Sequence, residues 1–475
     1  MAKRPSGTDH ANNGGDGHGP GQPTRVLHGP VFSQPLPTAD PTVFRIRHPS
    51  DKDAYAQIDE LNKEGKLQPL PFPPPRSDGP EPKLTLAQVF DDEASLQAVT
   101  GNGQIVFHAT GDCGSTRGPR TENEVTDKMI GDFEESDRRE IPQFCLLLGD
   151  IVYNFGEAEY YYDQFYEPYR NYHAPVLAAA GNHDGMISPL AHARSLESYL
   201  RNFCADPSHG FVVTPEAGGL SRTAQIQPGV YFTFEAPFVR ILVFYSNTLE
   251  DPGVISGEGI GDAQLTFLEA ALQRVKDEGY AGALIFAHHH PQYAIGGQHS
   301  SSTQMREQMD AVCEKVGVWP HAVLAGHAHS YQRFTRHRPD GGEIPYVIWG
   351  NGGHNVQRLR APGGVALRTP QVLNAAGSNE DQVTFESYDD QDYGYLRVIA
   401  DPQQLRIEYH PASDGPRAKT PDDAVTVDLA TRRLTTYAAN DLGYPDQIAA
   451  VRTQHSAQER PGRWPRKPRP PAKGE

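Results

Sequence analysis

Short apolar runs recur through the middle of the chain, and each ends in glycine or in residues with oxygen or imidazole side chains. Ile105-Val-Phe-His-Ala109 runs into Thr110-Gly-Asp-Cys-Gly114, and Phe144-Cys-Leu-Leu-Leu148 into Gly149-Asp-Ile-Val-Tyr153. Val176-Leu-Ala-Ala-Ala180 leads into Gly181-Asn-His-Asp184, Ala283-Leu-Ile-Phe-Ala287 into His288-His-His-Pro291, and Ala322-Val-Leu-Ala325 into Gly326-His-Ala-His329. Wholly apolar runs of this length predict strands covered on both faces, as in a parallel sheet. Between them, Leu265, Leu268, Leu272 and Val275 recur at helical spacing and predict a helix over Asp262–Glu278. Further helices are expected over Arg120–Arg139 and Gln304–Val316, and Tyr161, Phe165 and Tyr169 read as the packing face of an aromatic one. Gly229–Glu235 with Val239–Tyr245, and Tyr395–Ala400 with Leu405–His410, read as antiparallel pairs, and Tyr346–Trp349 as one more strand. Strand–helix alternation with such additions predicts an α/β fold of mixed sheets.

The ends of the chain lack this pattern. Residues 1–95 are rich in Pro and Gly and include Pro69-Leu-Pro-Phe-Pro-Pro-Pro75, an extended strap, and they are read as an irregular extension. Residues 96–412 are read as the catalytic domain and 413–475 as a second extension with a basic, Pro-rich tail from Pro461. The 46 glycines and 41 prolines in 475 residues predict long irregular connections. No apolar stretch approaches the roughly 18 residues of a membrane span, so no membrane partner is expected. A net charge of −17 argues against broad nucleic-acid binding, which needs a basic face, so no nucleic-acid partner is expected, and an anionic substrate would need a local positive centre. Cys113, Cys145, Cys204 and Cys313 are widely spaced and form no CxxC pair. With no apolar core behind the basic start of the chain, a cytoplasmic location is the expectation.

In open α/β sheets functional groups gather beyond the carboxyl ends of the strands. Five such ends supply Asp112, Asp150 and Tyr153, Asn182 and His183, His288 to His290, and His327 and His329. Carboxylate, amide and imidazole donors together suit Fe, Zn, Mn or Co, and there are more of them than one tetrahedral ion needs. Taken singly, Gly-Asp is an ordinary turn and Gly-Asn-His-Asp a turn with a helix cap; Gly-His-Ala-His is more specific, and the recurrence of all five argues for one metal site. Two ions about 3.5–4 Å apart can orient a phosphoryl group and activate water. There is no Gly-rich phosphate loop with Lys and no Ser or Cys nucleophile motif, so attack by metal-activated hydroxide is the expected chemistry.

The same five motifs resemble the signature of the calcineurin-like metallophosphoesterases. Asp112 is followed by Cys-Gly rather than by x-His, and Tyr153 stands three residues after Asp150, which resembles the purple acid phosphatase branch. The resemblance covers roughly residues 100–410 and implies a metallophosphatase β-sandwich flanked by helices, in four layers α/β/β/α. It implies two metal ions, Fe(III) on Asp112, Asp150, Tyr153 and His329, and Fe(II), Zn or Mn on Asp150, Asn182, His289 and His327. His183 would contact phosphate or protonate the leaving alkoxide, assisted by Asp184, and His299 would be a further phosphate contact. His289 is preferred to His288 as ligand because it stands two residues before Pro291; Arg333 is a further candidate contact, and His354 is open between site and plain turn. The implied activity is hydrolysis of small phosphate esters, as a phosphomonoesterase, with a phosphodiesterase or a non-catalytic metal-binding scaffold as alternatives. The oligomeric state is left open.

Overall fold

The computed structural model describes residues 43–437 except 49, 65–70, 191, 193, 207–214, 218–225, 247–251, 297–298, 300, 361–363 and 375–380. Residues 1–40 and the basic tail therefore lie outside the described residues. In chain order the principal elements begin with α1 (Lys52–Lys63), β1 (Lys83–Thr85), α2 (Leu86–Phe90), α3 (Glu93–Gly101), β2 (Ile105–Thr110), α4 (Arg120–Gly131), β3 (Cys145–Leu148) and β4 (Val176–Ala179). Then come α5 (Asn182–Gly185), α6 (Glu197–Phe203), β5 (Phe232–Ala236), β6 (Val239–Val243), α7 (Ala263–Asp277), β7 (Ala283–His288), α8 (Thr303–Val316) and β8 (Ala322–Ala325). The remainder is strand: β9 (Tyr331–His337), β10 (Glu343–Trp349), β11 (Gln371–Val372), β12 (Gln382–Asp389), β13 (Gly394–Ala400), β14 (Gln404–Pro411), β15 (Asp423–Asp428) and β16 (Arg433–Leu434).

Two mixed sheets result. The first runs β1-β5-β6-β7-β8-β10-β9-β12-β11 and the second β16-β15-β14-β13-β2-β3-β4. The apolar runs form the parallel centres, β6-β7-β8 in one sheet and β2-β3-β4 in the other. The expected hairpins are the antiparallel pairs β5–β6 and β13–β14. Period-two alternation divides each run between two cores. Phe107, Leu146, Leu177, Ile241, Ile285 and Leu324 meet between the sheets. Leu147, Ala178, Leu242, Leu284, Phe286 and Val323 lie on the outer faces, in a core that includes Val125 and Met129 of α4, Phe267, Leu268 and Leu272 of α7, and Met305 and Met309 of α8. The order of layers is thus helix, sheet, sheet, helix.

Several elements depart from expectation. Helix α4 stops at Gly131, and short 3-10 turns follow at Asp132–Glu134 and Arg138–Glu140. The aromatic stretch is a 3-10 turn followed by a π-helical turn, Tyr162–Tyr166, although Tyr161, Phe165 and Tyr169 are buried as expected of a packing face. Neither extension is merely irregular: β1 adds a parallel edge strand to β5, and β15 and β16 carry the second sheet past residue 412 to Leu434. Among the described residues no helix is long and apolar enough to cross a membrane.

Candidate metal centre

The carboxyl ends of β2, β3 and β4 from one sheet meet those of β7 and β8 from the other. Asp112, Asp150 and His327 turn there with φ of 55°, 53° and 69°. Side chains other than glycine rarely adopt this left-handed region, at a strain of order 1 kcal/mol each, and such residues gather at functional sites. Gly149 also turns left-handed at φ 94°, and a Cβ there would come within 2.5 Å of His289 Nδ1; one at Gly181 would run into the Asp150 carboxylate.

The donors fall into two groups that share Asp150. In one, the Tyr153 hydroxyl lies 3.0 Å from both Asp112 Oδ1 and Asp150 Oδ2 and 3.4 Å from His329 Nε2, and His329 Nε2 lies 3.1 Å from Asp112 Oδ1. In the other, His289 Nε2 lies 3.2 Å from Asp150 Oδ2, 3.0 Å from Asn182 Oδ1 and 3.2 Å from His327 Nδ1. Asp112, Asp150, Tyr153, Asn182, His289, His327 and His329 are all brought together, and all are buried.

Their protons show what the cluster lacks. His289 Nδ1 donates to Leu148 O at 2.7 Å and His329 Nδ1 to Asn355 Oδ1 at 2.6 Å. In neutral rings both Nε2 atoms then carry lone pairs, aimed at carboxylate and amide oxygens that also only accept. Burial disfavours a charge on His289, but the Asp150 and Asp112 carboxylates outweigh it and push the group up to about 9. Burial likewise works against ionisation of Asp150, yet His289 and His183 hold its carboxyl below the usual range. Burial, then Asp112 and Asp150, push the Tyr153 phenol upward. Converging lone pairs and anions with second ring nitrogens already committed form the donor set of a metal site, which the residues therefore fit.

The neighbouring histidines separate by strand parity. His288 shares the outer face of Phe286, and burial presses its imidazole down to about 3, whereas His289 follows Ala287 onto the rim between the sheets. His290 bonds Ser246 Oγ at 3.1 Å through Nδ1 and lies 4.3 Å, ring to ring, from His327. His299 reaches the site, its ring 4.4 Å from that of His327 and 4.8 Å from that of His329. Burial, with His329 and His183 next, holds it down near 3.

Asp184 departs from its expected role. Its carboxylate accepts from Gly181 N at 2.8 Å and Ile151 N at 3.1 Å, tying the ends of β3 and β4 together, and burial and then Asp150 raise it to about 7. The partner of His183 Nδ1 is instead the Asn154 carbonyl at 2.7 Å, which leaves Nε2 3.9 Å from Asp150 Oδ2. Arg333 also lies elsewhere, in a two-pronged pair with Asp423, where Tyr331 stacks on Tyr409. Cys113 packs into the outer core.

His354, left open between site and plain turn, belongs to the site, and Asn355 beside it was not foreseen. His354 stacks flat on Tyr153, centroids 3.6 Å apart, because its backbone amide donates to Asp112 O at 3.0 Å. Asn355 follows it and orients His329. The Gly350-Asn-Gly-Gly sequence hinted at a loop, but no spacing rule gives a lone amide this place.

Residues 106–331 match the family model for calcineurin-like phosphoesterases. The resemblance carried by the five strand ends is borne out there, and in a relative from the purple acid phosphatases. The curated protein "Probable purple acid phosphatase 20" of Arabidopsis thaliana is 26% identical over 165 residues, 34% of this chain and 33% of that protein. The chain thus spans a third of that relative's length. Among solved structures, the purple acid phosphatase PPD1 of yellow lupin (Lupinus luteus) is similar at a TM-score of 0.43 and 18% identity, over 73% of this chain and 55% of that one. GAP50, the anchor in the inner membrane complex of Plasmodium, is similar at 0.42 and 13%, over 74% and 94%.

Proposed function

We propose that the protein is a binuclear metal-dependent hydrolase of small phosphate esters, acting as a phosphomonoesterase. The observation that carries this reading is the pair of donor groups sharing Asp150, with His183 and His299 beside them. Asp112, Asp150, Tyr153 and His329 would hold Fe(III), and Asp150, Asn182, His289 and His327 would hold Fe(II), Zn or Mn. When bound, the two ions supply Lewis acidity toward the phosphoryl oxygens and an activated water.

The chain's own residues supply the rest. His183 and His299 lie where they can bind phosphoryl oxygens, which matters in a chain of net charge −17. With Nδ1 donating to the Asn154 carbonyl, a proton held on His183 Nε2 is placed for transfer. That proton passes to the departing ester oxygen as a water oxygen bonds to phosphorus and the ester P–O bond breaks, giving an alcohol and inorganic phosphate.

The test is phosphate release from an aryl monoester and an aryl diester by protein loaded with iron plus zinc or manganese. Release from the monoester, and a visible tyrosinate-to-iron band that vanishes in Tyr153→Phe, are expected. Turnover of the diester alone would reassign the substrate class, and bound metal without turnover of either would leave a scaffold.

A further inference from the structure

Residues 43–63 precede the family-matched region, yet they hold the loop that follows β3. His48 Nε2 donates to Tyr153 O at 3.0 Å, and Asp51 Oδ2 accepts from Asn154 Nδ2 at 2.7 Å. The Phe155 ring packs on Tyr55, centroids 5.4 Å apart, in a small core with Ala54, Ile58 and Met186. Three successive residues, 153, 154 and 155, are thus each taken by the amino-terminal segment. The segment has its own anchor away from the site: the Arg45 guanidinium lies 3.1 Å from the Tyr162 ring centroid, and Ile46 N donates to Asp163 Oδ2 at 3.0 Å.

Asn154 stands between this segment and His183. Its side chain is held by Asp51, and its carbonyl accepts from His183 Nδ1. A carbonyl in that place selects the ring tautomer and orients Nε2. The N–H of the peptide that carries the carbonyl donates to Glu157 Oε2 at 2.9 Å, so without the side-chain bond to Asp51 the peptide would be held from its Phe155 side.

We propose that Asp51, supported by His48, is a positioning residue for His183, so that the amino-terminal segment sets how well the proton reaches the leaving group. The proposal rests on the phosphate-ester reading of the site. A proton donor matters most when the departing oxygen is basic, and least for a nitrophenolate, which leaves unaided.

Turnover of an alkyl phosphate and of p-nitrophenyl phosphate is therefore compared in the full-length, metal-loaded wild type, Asp51→Ala, Asp51→Asn, His183→Ala and the Asp51→Ala/His183→Ala double variant. Asp51→Ala is expected to lower kcat on the alkyl ester roughly tenfold, the lower end for losing a group that orients an imidazole, with kcat on the aryl ester and both KM values nearly unchanged. Asp51→Asn should recover most of the loss, since its Oδ1 can still accept from Asn154. In the His183→Ala background the Asp51 change should add nothing. Equal losses on both esters, or losses that add in the double variant, would overturn the proposal. A readout without turnover separates it from its parent: by NMR with ring-15N histidine, the His183 Nδ1 proton should be protected from exchange in wild type and exposed in Asp51→Ala. Unchanged protection would sink the positioning role even in an active enzyme. A wild type inactive on both esters would instead sink the phosphatase reading.

Discussion

Asp150 is the residue on which both donor groups depend, and Asn355 touches only one of them. Their substitutions should therefore fail differently. Asp150→Asn removes the charge placed between the two groups and is expected to lower bound metal, read by elemental analysis, from two ions to less than one. Asn355→Ala leaves every donor in place and frees only the outer nitrogen of His329, so affinity should fall roughly 10–100-fold for one ion and stay unchanged for the other. Loss of both ions in Asn355→Ala would mean that the two groups are not separable. The strand ends were legible in the sequence because apolar runs stop at residues with oxygen or imidazole side chains, and the choice of seven donors among them came from the family resemblance. Asn355 and the Asn154 carbonyl were not legible, because they act through contacts between segments far apart in the chain, and His354 was left open between site and turn. Asp184 shows the same limit: adjacency to His183 suggested a partner, but the imidazole bonds the Asn154 carbonyl and the carboxylate serves backbone amides.

Elements set how closely those side chains approach. Where β4 ends, Gly181 lies against the Asp150 carboxylate, and its extended backbone would accept any residue; only space forbids a side chain. Gly181→Ala is expected to fold with an ordinary far-UV spectrum yet lose metal as Asp150→Asn does. Retention of two ions would show that β4 can draw back from β3. The helices answer to local rules. Ser302 caps α8 by accepting from Met305 N at 3.2 Å, and the same hydroxyl donates to Gly253 O. Ser302→Ala should lower stability by about 1–2 kcal/mol in a chemical melt while leaving metal content intact. Strongly periodic elements such as α7 and α8 were legible to within a residue or two, whereas β9, β12 and the π-helical turn at Tyr162–Tyr166 were not. Those strands alternate with charged residues such as Arg333 and Arg336, which are neutralised by Asp423 and by Asp310 with Asp381, partners from other segments.

For the whole molecule, the outer face of the second sheet carries a buried set of charges far from the metal centre. Glu408 on β14 is met by Arg397 from β13, by Arg406 and by His410. Nearby, Asp132 bonds His108 and Tyr395 and pairs with Lys419 from the segment after β14. Burial opposes the charge on each carboxyl, but His410, Arg406 and Arg397 hold Glu408 below its usual range, and His108, Arg397 and Lys419 do the same for Asp132. A carboxyl with a depressed folded-state pKa contributes stability that is present above its unfolded value, near 4, and is lost as pH falls toward the folded one. Glu122 and Asp184 work in the opposite sense, since burial raises both, so the acid profile of the wild type alone mixes two signs. Comparison with Glu408→Gln isolates one of them. At pH 7 the variant leaves Arg406 facing a neutral amide, while Arg397 keeps its pair with Glu140, and it should be less stable by about 3 kcal/mol, the lower end for breaking a buried ion pair. Below about pH 4 that gap should shrink in denaturant melts as Glu408 in the wild type takes up its proton. A gap that stayed fixed to pH 2, or widened, would mean that the charge of Glu408 contributes nothing and that the side chain acts by packing alone.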